Sequence, residues 1–217
     1  WLDGSEGMPS LRGKTRVIRS EKLSQKGVTK KLPDVENFPD WGFDGGSTEQ
    51  GTLEDSDRVL KPVRVYFDPF REKSYLVLCE VYNPDGTPHN SNARSHLRGV
   101  EEKSKNHDPL FGFEQEYTLM TPNGADPVGF RFGEPPGQGP YYCGVGSNRA
   151  FNREVCEEHL KLCIEAGVNL DGTNAEVMPG QWEYQTSPEG PLEVSDNLWV
   201  SRYILGRIAE RNDVCVS

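Results

Sequence analysis

Four glutamates in two short segments carry the densest chemistry of the sequence. The first segment is "FGFEQEYTLM" (111–120), with Glu114 and Glu116 two apart in an otherwise apolar run. Read as a strand, it sends Phe111, Phe113, Gln115, Tyr117 and Leu119 to one face. Glu114, Glu116, Thr118 and Met120 share the other. One reading makes the second face the wetted side of an ordinary strand. The other makes it half of a metal site, because residues two apart present carboxylates roughly 7 Å apart, a spacing that suits neighbouring cations.

The second segment is "EVMPGQWE", which holds Glu176 and Glu183. Pro179-Gly180 between them rules out a continuous helix and predicts strand, turn, strand. Both glutamates sit beside bulky residues: Val177, Met178, Trp182 and Tyr184. An unpaired carboxylate is costly to bury, and divalent cations would neutralise the set. No His or Cys stands at ligand spacing nearby, and ligation by carboxylate oxygens favours Mg²⁺ or Mn²⁺ over Zn²⁺. Composition leaves room for this: a net charge of -10 excludes the basic footprint of a nucleic-acid binder, while cations can still bridge such a chain to anionic substrates.

Other candidates carry less. "GVGSNR" runs from a Gly-rich loop into a predicted helix, but it lacks the last Gly of GxGxxG and no GK[ST] follows. His89, His96, His107 and His159 are scattered and read as structural or solvent-facing. The five cysteines form no CxxC pair, which fits reduced thiols in a cytoplasmic protein. No run reaches the roughly 18 apolar residues of a membrane span, and no signal peptide is visible.

The elements that must position these residues read as α+β. Residues 1–84 predict short strands between turns, among them "TRVIRS" (15–20), "RVYFDPF" (64–70) and "SYLVLCEVY" (74–82). "WGFDGGSTEQG" (41–51) reads as a loop, and "YNPDGTPHNSN" (82–92) as the best linker. A polar helix is expected over 95–107, then the glutamate strand, then a Gly/Pro-rich loop over 121–140. An amphipathic helix over 149–167 turns Phe151, Val155, Leu162 and Ala166 inward and ends at Gly167. A last helix spans Asp196 to Arg211, with Trp199, Tyr203, Leu205 and Ile208 inward.

In chain order, "WLDG", "KTR", "WGFDGGST", "DPFR", "LVLCEVY", "FGFEQEYTLM", "GPYYCGVG", "AEVMPGQWEYQ" and "WVSRYIL" resemble glutamine synthetase of the shorter, eukaryotic-like type II class. The resemblance implies a β-grasp-like N-terminal domain over 1–84, a linker over 85–94, and part of a catalytic domain with a curved antiparallel sheet over 95–217. It implies condensation of glutamate with ammonium and ATP through γ-glutamyl phosphate. Matched residue by residue, Glu114 corresponds to a ligand of the metal nearer glutamate. Glu116, Glu176 and Glu183 correspond to ligands of the metal that bridges ATP phosphates. Asp44 corresponds to the residue that helps take a proton from ammonium, with Ser47 and Tyr142 beside that pocket. Glu183, Tyr184, Gln185 and Ser187 match a segment passing the nucleotide. The resemblance also implies a homo-oligomer of stacked rings with active sites between subunits.

Two departures stand out. Leu110 occupies a position where the family commonly has Trp. The resemblance also places a metal-binding His, a Glu flap and substrate-binding arginines beyond Ser217. The expectation is therefore a partial chain, cut at both ends and inactive alone. The rival readings are a γ-glutamyl ligase using another amine and a non-catalytic structural relative.

Overall fold

A computed structural model describes residues 1–19, 23, 31–130 and 134–217. Contacts divide the chain into two units, Trp1–Asp108 and Pro109–Ser217.

The first unit is built on an antiparallel sheet of β1 (Trp41–Asp44), β2 (Asp57–Phe67) and β3 (Tyr75–Tyr82), in the order β1-β2-β3. β2 is bulged between Pro62 and Arg64, where Pro62 has no N–H for the ladder. Leu60, Val65, Tyr66, Val81 and Phe38 are buried. The helix α1 (Ala93–Ser104) has no buried residue, so apolar packing does not hold it. Polar bonds do. Asn92 caps it by accepting from Ser95 N–H at 3.0 Å, and donates from its own amide to Val81 C=O at 3.0 Å. Glu80 of β3 is buried and accepts from Arg94 and Arg98, each at 2.7 Å. Burial alone would raise the Glu80 carboxyl; hydrogen bonds from Arg94, Tyr82 and Arg98 outweigh it and hold the group below the usual range.

Two expectations for this unit fail. The described part of "TRVIRS", residues 15–19, is not a strand, and Ser20 lies outside the described residues. It follows a polar surface path instead: Lys14 donates to Gly42 C=O and lies 3.7 Å over the Trp41 ring, and Arg16 donates to Asp40 C=O. "WGFDGGSTEQG" is not all loop, because Trp41–Asp44 pairs with Asp57–Leu60 as β1. The strand expected at 64–70 starts earlier, at Asp57, and stops at Phe67, where Asp68 turns the chain by accepting from Phe70 N–H at 2.9 Å.

The second unit has an antiparallel sheet in the order β5-β6-β4-β7. Its strands are β4 (Glu114–Met120), β5 (Leu170–Ala175), β6 (Gln181–Thr186) and β7 (Cys215–Val216). The helices α2 (Arg153–Ala166) and α3 (Pro191–Arg211) supply its core. Tyr117, Leu119, Trp182 and Tyr184 are buried with Val155, Cys156, Leu162, Cys163, Ile204, Leu205 and Ile208. Gly167, at φ 89, ends α2 as expected. That helix begins at Arg153, four residues later than expected, and α3 begins at Pro191, five earlier, where proline suits the first turn. The inward face of α3 also differs. Leu205 and Ile208 are buried, but Trp199 and Tyr203 are half-buried and carry the guanidinium groups of Arg202 and Arg207. Val194, Leu198 and Ile204 point inward instead.

The paired region of "FGFEQEYTLM" begins at Glu114. Phe111 makes an isolated bridge to Glu189, and Phe111 and Phe113 are exposed. No helix among the described residues is long and apolar enough to cross a membrane. All five cysteines are free.

Candidate metal centre

Strand, turn, strand is the observed form of 174–185. β5 and β6 are joined through a turn closed by Gln181 N–H donating to Met178 C=O at 3.0 Å. Gly180 makes the turn possible: its φ is 82°, and a Cβ there would lie 2.6 Å from Val128 O. The turn delivers Glu176 and Glu183 to the same end of the hairpin. β6 then pairs with β4 so that Glu116 faces Glu183, and Glu114 faces Gln185.

Side chains alternate along β6. Trp182, Tyr184 and Thr186 enter the core, and Gln181, Glu183 and Gln185 take the opposite face. The Tyr184 ring therefore turns away from the glutamate face. That ring is fully buried beside Tyr117 and His159, with its hydroxyl 2.7 Å from Ser201 Oγ. Ser187 is near the surface and donates to Asp171.

Glu176 and Glu183 are each 9 % exposed, whereas Glu114 and Glu116 are exposed. Among the described residues none of the four forms an ion pair. Burial first, and then the neighbouring carboxylates of Glu183 and Glu116, push the Glu176 carboxyl above the usual range. Among the described residues no three His, Cys, Asp or Glu side chains already converge on one point as a closed ligand set. Three adjacent carboxylates without an ion-pair partner among the described residues are nevertheless a donor set that fits a hard divalent cation.

Tyr142 joins this neighbourhood. Cys143 N–H donates to Ala175 C=O at 2.9 Å, which pins the 142–143 segment to the end of β5. Tyr142 is 62 % exposed, and the Cys143 thiol, then Glu176 and Glu183, raise its hydroxyl above the ordinary phenol value. Asp44 and Ser47 belong to the first unit. Asp44 accepts from Gly46 N–H at 2.9 Å and from Ser47 Oγ at 3.3 Å, so the turn-forming reading of this aspartate is also observed. Both residues are exposed.

Sequence reasoning missed two amides on the glutamate face, Asn174 and Gln181, and named the third, Gln185, only as part of the segment passing the nucleotide. Gln181 Nε2 donates to Glu116 Oε2 at 2.7 Å, and Asn174 Nδ2 donates to Glu176 Oε1 at 3.2 Å. Gln185 Nε2 donates to Glu183 and, at 2.8 Å, to Asn174 Oδ1. The alternate spacing 181/183/185 and 174/176 was the available signal.

Known families match both parts of the chain. "Glutamine synthetase, beta-Grasp domain" matches residues 1–84, and "Glutamine synthetase, catalytic domain" matches residues 90–217. A glutamine synthetase of Streptomyces viridochromogenes is 48% identical over all of this chain and 60% of its own length. One of Agaricus bisporus is 45% identical over all of this chain and 58% of its own length. The chain thus spans about 60% of the curated relatives it matches. A solved chain titled "GmaS/ADP complex-Conformation 1" shares the fold, with a TM-score of 0.67 and 17% identity over 82% of this chain and 41% of that one.

Proposed function

Since this chain belongs to the glutamine synthetase family, we propose that its glutamate face holds the divalent cations of an ATP-dependent glutamate–ammonia ligase. In the whole protein the side-chain carboxylate of glutamate takes the γ-phosphoryl group of ATP, giving γ-glutamyl phosphate and ADP, and ammonia then displaces phosphate to give glutamine. The observation that supports this best is the direct opposition of Glu116 and Glu183, with buried Glu176 beside them and no ion pair to any of the three among the described residues. A Mg²⁺ or Mn²⁺ held by these glutamates would supply charge neutralisation for the transferring phosphoryl group.

Within this reading Glu116, Glu176 and Glu183 hold the cation on the nucleotide side, and Glu114 contributes to the one on the glutamate side. Gln185, Ser187 and the main chain at Tyr184 run past the nucleotide. Asp44 takes a proton from ammonium, its carboxylate steadied by Gly46 and Ser47. Tyr142 lines the same small anionic pocket. Asp44 and Ser47 act on the glutamate face of a neighbouring subunit in a ring-shaped homo-oligomer. The five free thiols support a reducing, cytoplasmic setting.

The test is glutamine formation by the whole protein that carries this sequence, compared with its Glu183→Gln variant. Glutamine and ADP in equal amounts from the parent, with at least a hundredfold loss in the variant, are expected. Equal turnover by the two proteins would sink the assignment. The 217 residues alone, which span about 60% of their relatives, are expected to form no glutamine.

A further inference from the structure

The carboxylates of the glutamate face are interleaved with carboxamides in a regular way. Three cross-strand rows run over β5, β6 and β4. The first row is Gly172, Gln185, Glu114; the second is Asn174, Glu183, Glu116. The third begins at Glu176, whose N–H donates to Gln181 C=O at 2.9 Å, and continues through Gln181 to Thr118. Three amides thus separate four carboxylates, and each amide donates to a carboxylate. They are also linked to one another, because Gln185 donates to Asn174 Oδ1 while Asn174 Nδ2 holds Glu176. Asn174 therefore spends both ends of its amide, which fixes its orientation. Gly172 leaves room for this chain: a Cβ there would stand 3.1 Å from Gln185 Oε1.

We propose that Asn174 and Gln181 are positioning residues that orient Glu176 and Glu116 for cation binding. The inference rests on the metal reading of this face. The physical reason lies in the choice of donor. A carboxylate that accepts from an amide N–H gains a charge-assisted hydrogen bond and loses rotational freedom. A Lys or Arg would do the same but would also neutralise the ligand and compete with the cation. A neutral donor fixes one oxygen and keeps the full negative charge available. Gln181 takes Oε2 of Glu116, leaving Oε1 free. Glu176 is held at both oxygens, by Asn174 at Oε1 and by Val177 N–H at Oε2 at 3.1 Å. Each oxygen keeps a second lone pair for a cation.

The experiment titrates the metal-free whole protein with Mn²⁺ alone and follows free Mn²⁺ by electron paramagnetic resonance. The variants are Asn174→Ala, Gln181→Ala and Gln181→Met, with Glu183→Gln as reference. Partners behind metal ligands typically contribute about 10- to 100-fold in affinity, so a loss of about 10-fold is expected for Asn174→Ala and Gln181→Ala. Gln181→Met keeps the length but not the donor, and is expected to match Gln181→Ala. Gly172→Ala is expected to show a smaller loss in the same direction. Circular dichroism identifies any variant that fails to fold, and the remaining ones decide. If the parent binds no Mn²⁺, the metal reading itself falls and this proposal with it. If the parent binds, Glu183→Gln weakens it, and the amide variants bind as the parent does, the positioning role alone is overturned. Binding by Gln181→Met equal to the parent also overturns it, because bulk and not the N–H would then be what matters.

Discussion

Glu116 of β4 and Glu183 of β6 stand directly opposite one another across an antiparallel ladder. Like charges in such a pair destabilise a sheet, and Glu176 adds a third carboxylate beside them. The arrangement is therefore unfavourable in the metal-free chain, and a bound cation would relieve it. Glu183→Gln should raise the stability of the metal-free protein by about 0.5–1 kcal/mol and abolish the rise in melting temperature expected of the parent with Mn²⁺. Thermal melts with and without Mn²⁺ check both. A variant less stable than its parent without metal would show that the pair is not under electrostatic stress.

His159 makes a different kind of demand. It is 1 % exposed, its Nε2–H donates to Ser201 C=O at 3.0 Å, and Cys163 Sγ lies 3.2 Å from the same nitrogen. The carbonyl can only accept, so this nitrogen carries the proton of the neutral ring. Burial lowers the imidazole from 6.5 to about 4. The sign follows from proton counting: between pH 6.5 and about 4 the unfolded chain binds the proton and the folded chain does not. Stability from this residue is full above pH 6.5 and falls as pH drops through that window. The shift corresponds to roughly 3 kcal/mol. Urea unfolding at pH 7 and pH 4 should show the loss, and His159→Gln should flatten that limb. An unchanged slope in the variant would assign the acid sensitivity elsewhere.

How much of this the sequence disclosed depends on how local each signal was. The turn at Pro179-Gly180 is written in two adjacent residues, and it folds as expected. The end of α2 at Gly167 is equally local. The Asn174, Gln181 and Gln185 amides are not, because which carboxylate each one meets is set by the register of β5 on β6 and β6 on β4. β1 was hidden because "WGFDGG" has the composition of a loop, and only its pairing with β2 makes it a strand. Trp199 and Tyr203 misled the α3 reading because their rings can be covered from outside by Arg202 and Arg207. Pairing between distant segments is what composition does not carry.

Gly180 tests the link between turn and site. Its positive φ and the 2.6 Å approach to Val128 O leave no place for a side chain. Gly180→Ala should cost roughly 2 kcal/mol or more and move Glu176 away from Glu183. Chemical denaturation gives the first quantity. Mn²⁺ affinity, measured below the unfolding transition, gives the second. A variant with parental stability and affinity would mean that the 176–180 turn has no part in aligning the two carboxylates.

Asp44 and Glu183 lie in different structural units, and the proposed function assigns them to a composite site shared by neighbouring subunits. This has a consequence that a site within one subunit lacks. Asp44→Asn and Glu183→Gln in the whole protein should each be nearly inactive as pure oligomers. When the two variants are co-assembled, some interfaces join the intact Asp44 of one subunit to the intact Glu183 of the next. With equal, random mixing, about a quarter of sites receive both parental residues by simple pairing statistics, and activity should return toward that fraction. If both residues served one subunit's site, every site in the mixture would still carry a lesion. Co-expression with two affinity tags, followed by an assay of the doubly tagged oligomer, separates the two cases. No recovery in a mixed oligomer would rule out the shared site while leaving the glutamate face intact.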